Sequence, residues 1–123
     1  MQWLAIALGG ALGAMGRYGV NAVVFSVVGG RFPLGTLCVN VLGSVAMGIF
    51  YVLIVERALL PDPWREFVLV GLLGAFTTFS AFSLDSLALW QNGHIALALT
   101  YVILSLVLCI GGALAAILIT RMF

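Results

Sequence analysis

No lysine occurs anywhere in this chain, and charge of either sign is scarce: five arginines and four acids among 123 residues, 7% of the total. A soluble domain is charged at about a quarter of its residues, so this chain cannot keep itself in water. The formal net charge is only +1, which removes nucleic acid as a partner, because phosphate backbones call for basic patches. Cysteine is nearly missing too. Cys38 and Cys109 both fall in apolar runs, where a thiol serves as a small packing residue rather than as half of a disulfide or a metal ligand. The lone histidine, His94, sits in a turn signal and reads as solvated. The nucleophile, base or metal cluster of an enzyme is not found, nor is a low-complexity tract or a convincing internal repeat.

What is there is apolar surface. The chain is 64% hydrophobic, with mean hydropathy +1.28. A membrane helix needs roughly 20 residues to cross the hydrocarbon. Four such runs use nearly the whole length, which predicts an all-α integral membrane protein: a single four-helix transmembrane domain over 1–123. The first run spans 3 to about 28 and is interrupted by "GRYG", Gly16 to Gly19. It begins with "MQWLAIALGG", which lacks a basic flank and reads as an uncleaved first helix, not a signal peptide. Gly29 and Gly30 end it, and Pro33 precedes the second run, 35–55. The connector "ERALLPDPWRE" carries two prolines and five charges. The third run covers 67 to about 90, "QNGH" turns the chain, and the fourth covers 95 to about 120.

With the N-terminus in the cytoplasm, Arg57, Arg65 and Arg121 fall on that side and Arg31 on the other. The positive-inside preference is mild and compatible with insertion both ways. Four short helices fill their own centre. A transport path is therefore expected along a seam between copies, which predicts a homo-oligomer, most simply a two-fold dimer.

Polar residues fall on faces. Thr36, Asn40, Gly43, Ser44, Met47 and Tyr51 form one stripe at helical spacing, and Tyr101, Ser105, Cys109 and Gly112 another. For any one hydroxyl the ordinary reading is interhelical glue, at about 0.6 kcal/mol per hydrogen bond. Asn40 stands apart, because its two donors exceed what glue needs. Arg17, midway along the first run, costs on the order of 3 kcal/mol at the centre of a bilayer. It belongs either to a tilted helix that brings it to an interface or to the floor of a water-filled vestibule that draws anions. Asp85 either pairs with a donor on another helix or stands near the exit of a pathway.

The stretch "GAFTTFSAFS", Gly74 to Ser83, is a poor membrane helix. Gly71 and Gly74 lower propensity, and the hydroxyls of Thr77 and Thr78 compete for backbone groups. A broken helix is expected here. Unwound backbone at membrane depth survives only when buried or lining a cavity, and its free carbonyls suit a small monovalent cation. Phe79 and Phe82, three apart, share a face after the break. Ordinary packing accounts for such a pair. Their ring edges, electropositive and flanked by Ser80, would also suit a small anion that must shed water.

At "GRYG", "GTLCVNVLGSVAMG" and "GLLGAFTTFSAFS" the sequence resembles the Fluc family of fluoride channels, over essentially its full length. The resemblance implies an antiparallel, dual-topology homodimer in the plasma (inner) membrane of a prokaryote. It implies two fluoride pathways along the dimer interface and passive export of fluoride from the cytoplasm. A central, structural sodium ion would be held by the backbone carbonyls of Gly74 and Thr77 of both copies. Phe79 and Phe82 would line the pore with Asn40, and Arg17 would be the first-helix arginine of the vestibule. The polar track would use Ser80, Tyr101 and Ser105, with Thr36 nearby. Fluoride, the lipid bilayer and a second copy are the implied partners. Two positions depart from the family pattern: Ala81 replaces a common threonine, and Asp85 a frequent glutamate.

Two rivals of other kinds remain. A proton-coupled exporter of the small multidrug-resistance type also uses four short helices in a dimer, but it wants a carboxylate in the first helix, where this chain has Arg17. A non-transporting scaffold subunit would explain the glue residues but not Asn40, Arg17 and a broken helix together.

Overall fold

The structure is a computed structural model that describes residues 1–123. All of its regular elements are helical. Helix α1 runs Gln2–Val27, and α2 runs Leu34–Phe50 and continues through a π-helical stretch, Tyr51–Glu56. A third rod is assembled from α3 (Asp62–Arg65), a π-helical stretch Glu66–Leu73, α4 (Gly74–Phe76) and α5 (Phe79–Gln91). Helix α6, Ile95–Met122, is the longest unbroken one, at 28 residues.

Three rods are long and apolar enough to cross a membrane: Leu34–Glu56, Asp62–Gln91 and Ile95–Met122, with mean hydropathies of 2.2, 1.9 and 2.9 over their best windows. The chain is thus a multi-pass membrane protein. Helix α1 has the length, 26 residues or roughly 39 Å at 1.5 Å per residue. Its five glycines, Arg17 and Asn21 hold it below the same apolarity. The interruption at Gly16–Gly19 is one of hydropathy alone, because α1 stays helical straight through it.

The turns follow the sequence signals. Gly29 and Gly30 adopt φ of +62° and +91° after α1, values that a side chain would resist, and Pro33 caps α2. Pro61, extended at ψ 163°, starts the third rod. The two π-helical stretches carry no comparable signal.

Contacts along the rods fix their directions. A Cβ on Gly9 would collide with the Phe67 carbonyl and meet the backbone of Gly71 and Leu72, while one on Gly16 would reach the Phe76 ring. Residue numbers rise together, so α1 and the third rod run parallel, backbone against backbone. Helices α2 and α6 also run parallel, since they end side by side. There Arg121 grips the Glu56 carboxylate with Nε at 3.0 Å and Nη2 at 2.5 Å, and Arg57 Nη2 caps the Thr120 carbonyl at 2.8 Å. The two short turns, 28–33 and 92–94, meet at the opposite end, around one open cavity of about 490 Å³ that includes Arg31, Asn92 and His94.

Little of the chain is sealed inside. Only 19 of 123 residues are buried; the apolar ones among them include a cluster of Leu37, Phe82, Leu89, Ala98 and Tyr101 and a smaller one of Ile54, Val68 and Leu73. Leu8, Leu12, Ile103, Val107, Ile110 and Leu114 all point outward. Such an exterior needs lipid or protein against it, not water.

Candidate functional site

The third rod breaks at Thr77 and Thr78, whose backbones are extended (φ −82°, ψ 157° and φ −152°, ψ 116°). Threonine supplies both caps. The Thr77 backbone N–H and Oγ1 both donate to the Leu73 carbonyl, at 3.1 and 2.9 Å, closing α4. Thr78 Oγ1 accepts the Ala81 N–H at 3.2 Å, opening α5 as an N-cap, and lies 3.3 Å from Ser80 Oγ.

The break takes helical donors from carbonyls before it, those of Gly74 and Thr77 among them. In a continuous helix the Thr78 N–H would serve Gly74 and the Ala81 N–H would serve Thr77. Thr78 N–H donates instead to Asn40 Oδ1 at 2.7 Å, and Ala81 N–H to Thr78 Oγ1. Asn40 Nδ2 returns a bond to the Thr78 carbonyl at 3.0 Å. One side-chain amide thereby replaces a missing turn of helix from a neighbouring rod. The Asn40 amide still has one N–H to spare. Helix α2 reaches the break because position 43 is glycine: a Cβ there would strike Thr77 Cγ2 and come within 3.2 Å of the Phe76 ring.

The released carbonyls include those of Gly74 and Thr77, the pair the resemblance implies for sodium. Neutral carbonyl oxygens with no cluster of His, Cys, Asp or Glu nearby suit a hard monovalent cation rather than a divalent one, which seeks carboxylates. Gly74 and Thr77 give one chain two such oxygens. Arg17 lines neither the cavities at the turn end nor the cleft beside the break. Its Nη1 leans on the Thr77 carbonyl at 3.5 Å.

Beside the break lies an open cleft of about 420 Å³, walled by Asn40, Ser44, Thr78, Phe79, Phe82 and Ser105 among others. Both predicted stripes meet there: Gly43 and Met47 of α2 and Cys109 of α6 also line it. Phe79 and Phe82 are neighbours, ring centroids 5.4 Å apart; Phe79 is 76% exposed and Phe82 is 9% exposed. Phe82 stacks on toward Tyr101 at 5.3 Å, and Tyr101 meets Phe32 edge-on at 5.5 Å. Ser105 is buried and its Oγ has no hydrogen-bond partner.

Past the rings, Tyr101 donates its hydroxyl to Asp85 Oδ2 at 3.3 Å, so Asp85 does find a donor on another helix. Asp85 also borders the two cavities at the turn end, one of which includes Thr36. A mainly apolar cleft carrying a few polar groups, the rings that form part of its wall and a polar mouth thus follow one another along α5 and α6.

The Asn40–Thr78 clamp was not foreseen. Its sequence signal is faint: an amide in an apolar run and a helix-breaking stretch share no spacing, being 38 residues apart. The π-helical stretch Glu66–Leu73 was also unforeseen; it carries Gly71 against α1.

A multi-pass chain organised around an unwound segment, with free carbonyls on one side and a donor-bearing cleft on the other, is of the ion-handling class of membrane proteins. Comparison with known proteins places it more closely. The chain belongs to the CrcB family: the family model described as "CrcB-like protein, Camphor Resistance (CrcB)" matches residues 4–117. A fluoride-specific ion channel FluC of Saccharophagus degradans is 53% identical over 119 residues, 97% of this chain and 89% of that one. The FluC of Magnetococcus marinus is 45% identical over 122 residues, 99% of each chain. That of Paracoccus denitrificans is 48% identical over 119 residues, 97% of this chain and 94% of its own.

Proposed function

We propose that this chain is a fluoride channel, not an enzyme, and that it exports fluoride passively from the cytoplasm. The observation that carries the reading is the cleft beside the break, where the spare Asn40 N–H, the unpartnered Ser105 hydroxyl and the Phe79–Phe82 pair converge. The names of the relatives supply the ion.

Four crossings, α1 included, give each copy an up-down bundle. Two copies in opposite orientations pair about a two-fold axis in the inner membrane of a bacterium, each cleft closed by the other copy, which gives two pathways. The outward apolar faces support pairing. The Gly74 and Thr77 carbonyls of both copies would hold a structural sodium ion at the seam, whose charge would balance the carbonyl dipoles there.

Fluoride in the cytoplasm carries a tight shell of water, and moving it unpaired into a dry slot costs tens of kcal/mol. The donors of Asn40, Ser80 and Ser105 replace that shell in part. The positive edges of Phe79 and Phe82 accept the anion where no hydroxyl reaches, and the aryl walls leave no room for a larger halide's shell. Tyr101 and Thr36 receive it beyond the rings. An ion held by several weak donors enters and leaves easily. The inside-negative potential drives it outward with about 2.3 kcal/mol per 100 mV.

Purified protein in liposomes tests this. Fluoride efflux without a proton gradient is expected. Cation–proton exchange would replace the reading by an exporter, and silence in both assays by a scaffold.

A further inference from the structure

Arg17 lies midway along α1 with no acid beside it; the ion pairs of the chain are Arg65–Glu66 and Arg121–Glu56. Its side chain reaches one acceptor, the Thr77 carbonyl, at 3.5 Å. That carbonyl is one of those stripped of its helical donor by the break. The placement is built into the backbone. Helix α1 lies so close to the third rod that a Cβ on Gly13 would collide with the Leu72 carbonyl, and one on Gly16 would touch the Phe76 ring at 3.5 Å. Arg17 follows Gly9 and Gly13 at four-residue spacing, so it lies on the face of α1 that meets the third rod.

We infer that Arg17 is a tethered cation that competes with the alkali ion for the Thr77 carbonyl, and so sets how much sodium is needed to pair two copies. The inference rests on the proposed sodium at the seam. In an unpaired copy, a bare carbonyl at membrane depth is costly, and a guanidinium from the same chain satisfies it. In the pair, the guanidinium of each copy would face a shared cation across the carbonyl it touches, at a separation taken as roughly 5 Å. Even with the full screening of water, two such repulsions amount to roughly a tenfold loss in affinity, and to more in a drier site. Arg17 thus shields the break before pairing and raises the sodium requirement of pairing.

The test is a sodium titration of pairing between fluorescently labelled copies in bilayers, read by energy transfer, with a large organic cation holding ionic strength constant. Arg17→Gln keeps a donor and drops the charge. It is expected to lower the half-saturating sodium by about tenfold or more. Arg17→Lys keeps the charge and should leave the requirement near that of the unaltered protein. An unchanged or raised requirement in Arg17→Gln, or an Arg17→Lys that behaves like it, overturns the inference while leaving the seam sodium standing. Pairing of the unaltered protein that ignores sodium removes both. If Arg17→Gln does not fold, the unaltered protein with nitrogen-labelled arginine decides: the Arg17 side-chain resonance must move as sodium is added, and a stationary resonance overturns the inference.

Discussion

Replacing Asn40 by alanine removes one side chain and two hydrogen bonds, to the Thr78 N–H at 2.7 Å and to its carbonyl at 3.0 Å. Thr78 is itself buried, so water does not take over both bonds. Interhelical hydrogen bonds in membranes average about 0.6 kcal/mol, so the pair contributes at least roughly 1.2 kcal/mol, just under a tenfold change in the opening equilibrium. With the Thr78 groups left unpaired the loss rises toward the 1–3 kcal/mol typical of a buried unsatisfied group. The effect should be local, because the α5 cap through Thr78 Oγ1 and the α4 cap through Thr77 do not involve Asn40. Amide exchange followed by mass spectrometry on reconstituted protein should therefore speed up about tenfold across 77–81 and stay unchanged in α6. Fluoride efflux should fall at least as far, since the same change removes the spare N–H of the cleft. Asn40→Asp restores the acceptor but not the donor and is expected to recover part of the protection without recovering flux. Unaltered exchange across 77–81 in Asn40→Ala would show that the amide does not hold the break. Unaltered flux with accelerated exchange would show that the break's shape is irrelevant to conduction.

Three further changes bear on the cleft. Phe82→Ile removes the ring between Phe79 and Tyr101, and should abolish or severely slow fluoride flux while leaving the proposed dimer's elution unchanged; normal flux would take the rings out of the mechanism. Ser105→Ala deletes a hydroxyl that bonds to nothing in the chain, so thermal stability in detergent should stay within about 0.5 kcal/mol while flux drops; a loss of stability with flux intact would make Ser105 glue after all. Gly43→Ala drives a methyl into Thr77 and should displace α2 from the break, costing about 1–3 kcal/mol as overpacking does; a variant as stable and as active as the original would refute the close approach.

Much of this site is legible in the residues. Glycine and paired threonines announce a break at 74–78 because they both weaken the helix and carry their own replacement bonds, and the structure uses Thr77 and Thr78 in that way. Helical spacing likewise gathers Asn40, Ser44 and Ser105 on facing stripes that meet in one cleft. Other features are set by packing and leave no local trace. The π-helical stretches 51–56 and 66–73 use the same aliphatic residues as ordinary helix. The partner of Arg17 depends on how closely glycines let two rods approach, a distance no single segment encodes. Gly16 to Gly19 interrupt the apolar pattern yet leave α1 intact, because glycine lowers helix propensity by only about 1 kcal/mol per residue and the third rod holds α1 in place.

The parallel course of α1 and the third rod bears on how the chain is made. Helix α1 is the least apolar rod, and the glycine surface that holds it belongs to residues 67–76, which leave the ribosome only after α2 is complete. During synthesis the first segment therefore has to linger at the translocon, or in a loose hairpin with α2, until its seat emerges. A nascent chain halted before that point should be extractable from the membrane far more readily than one halted after it.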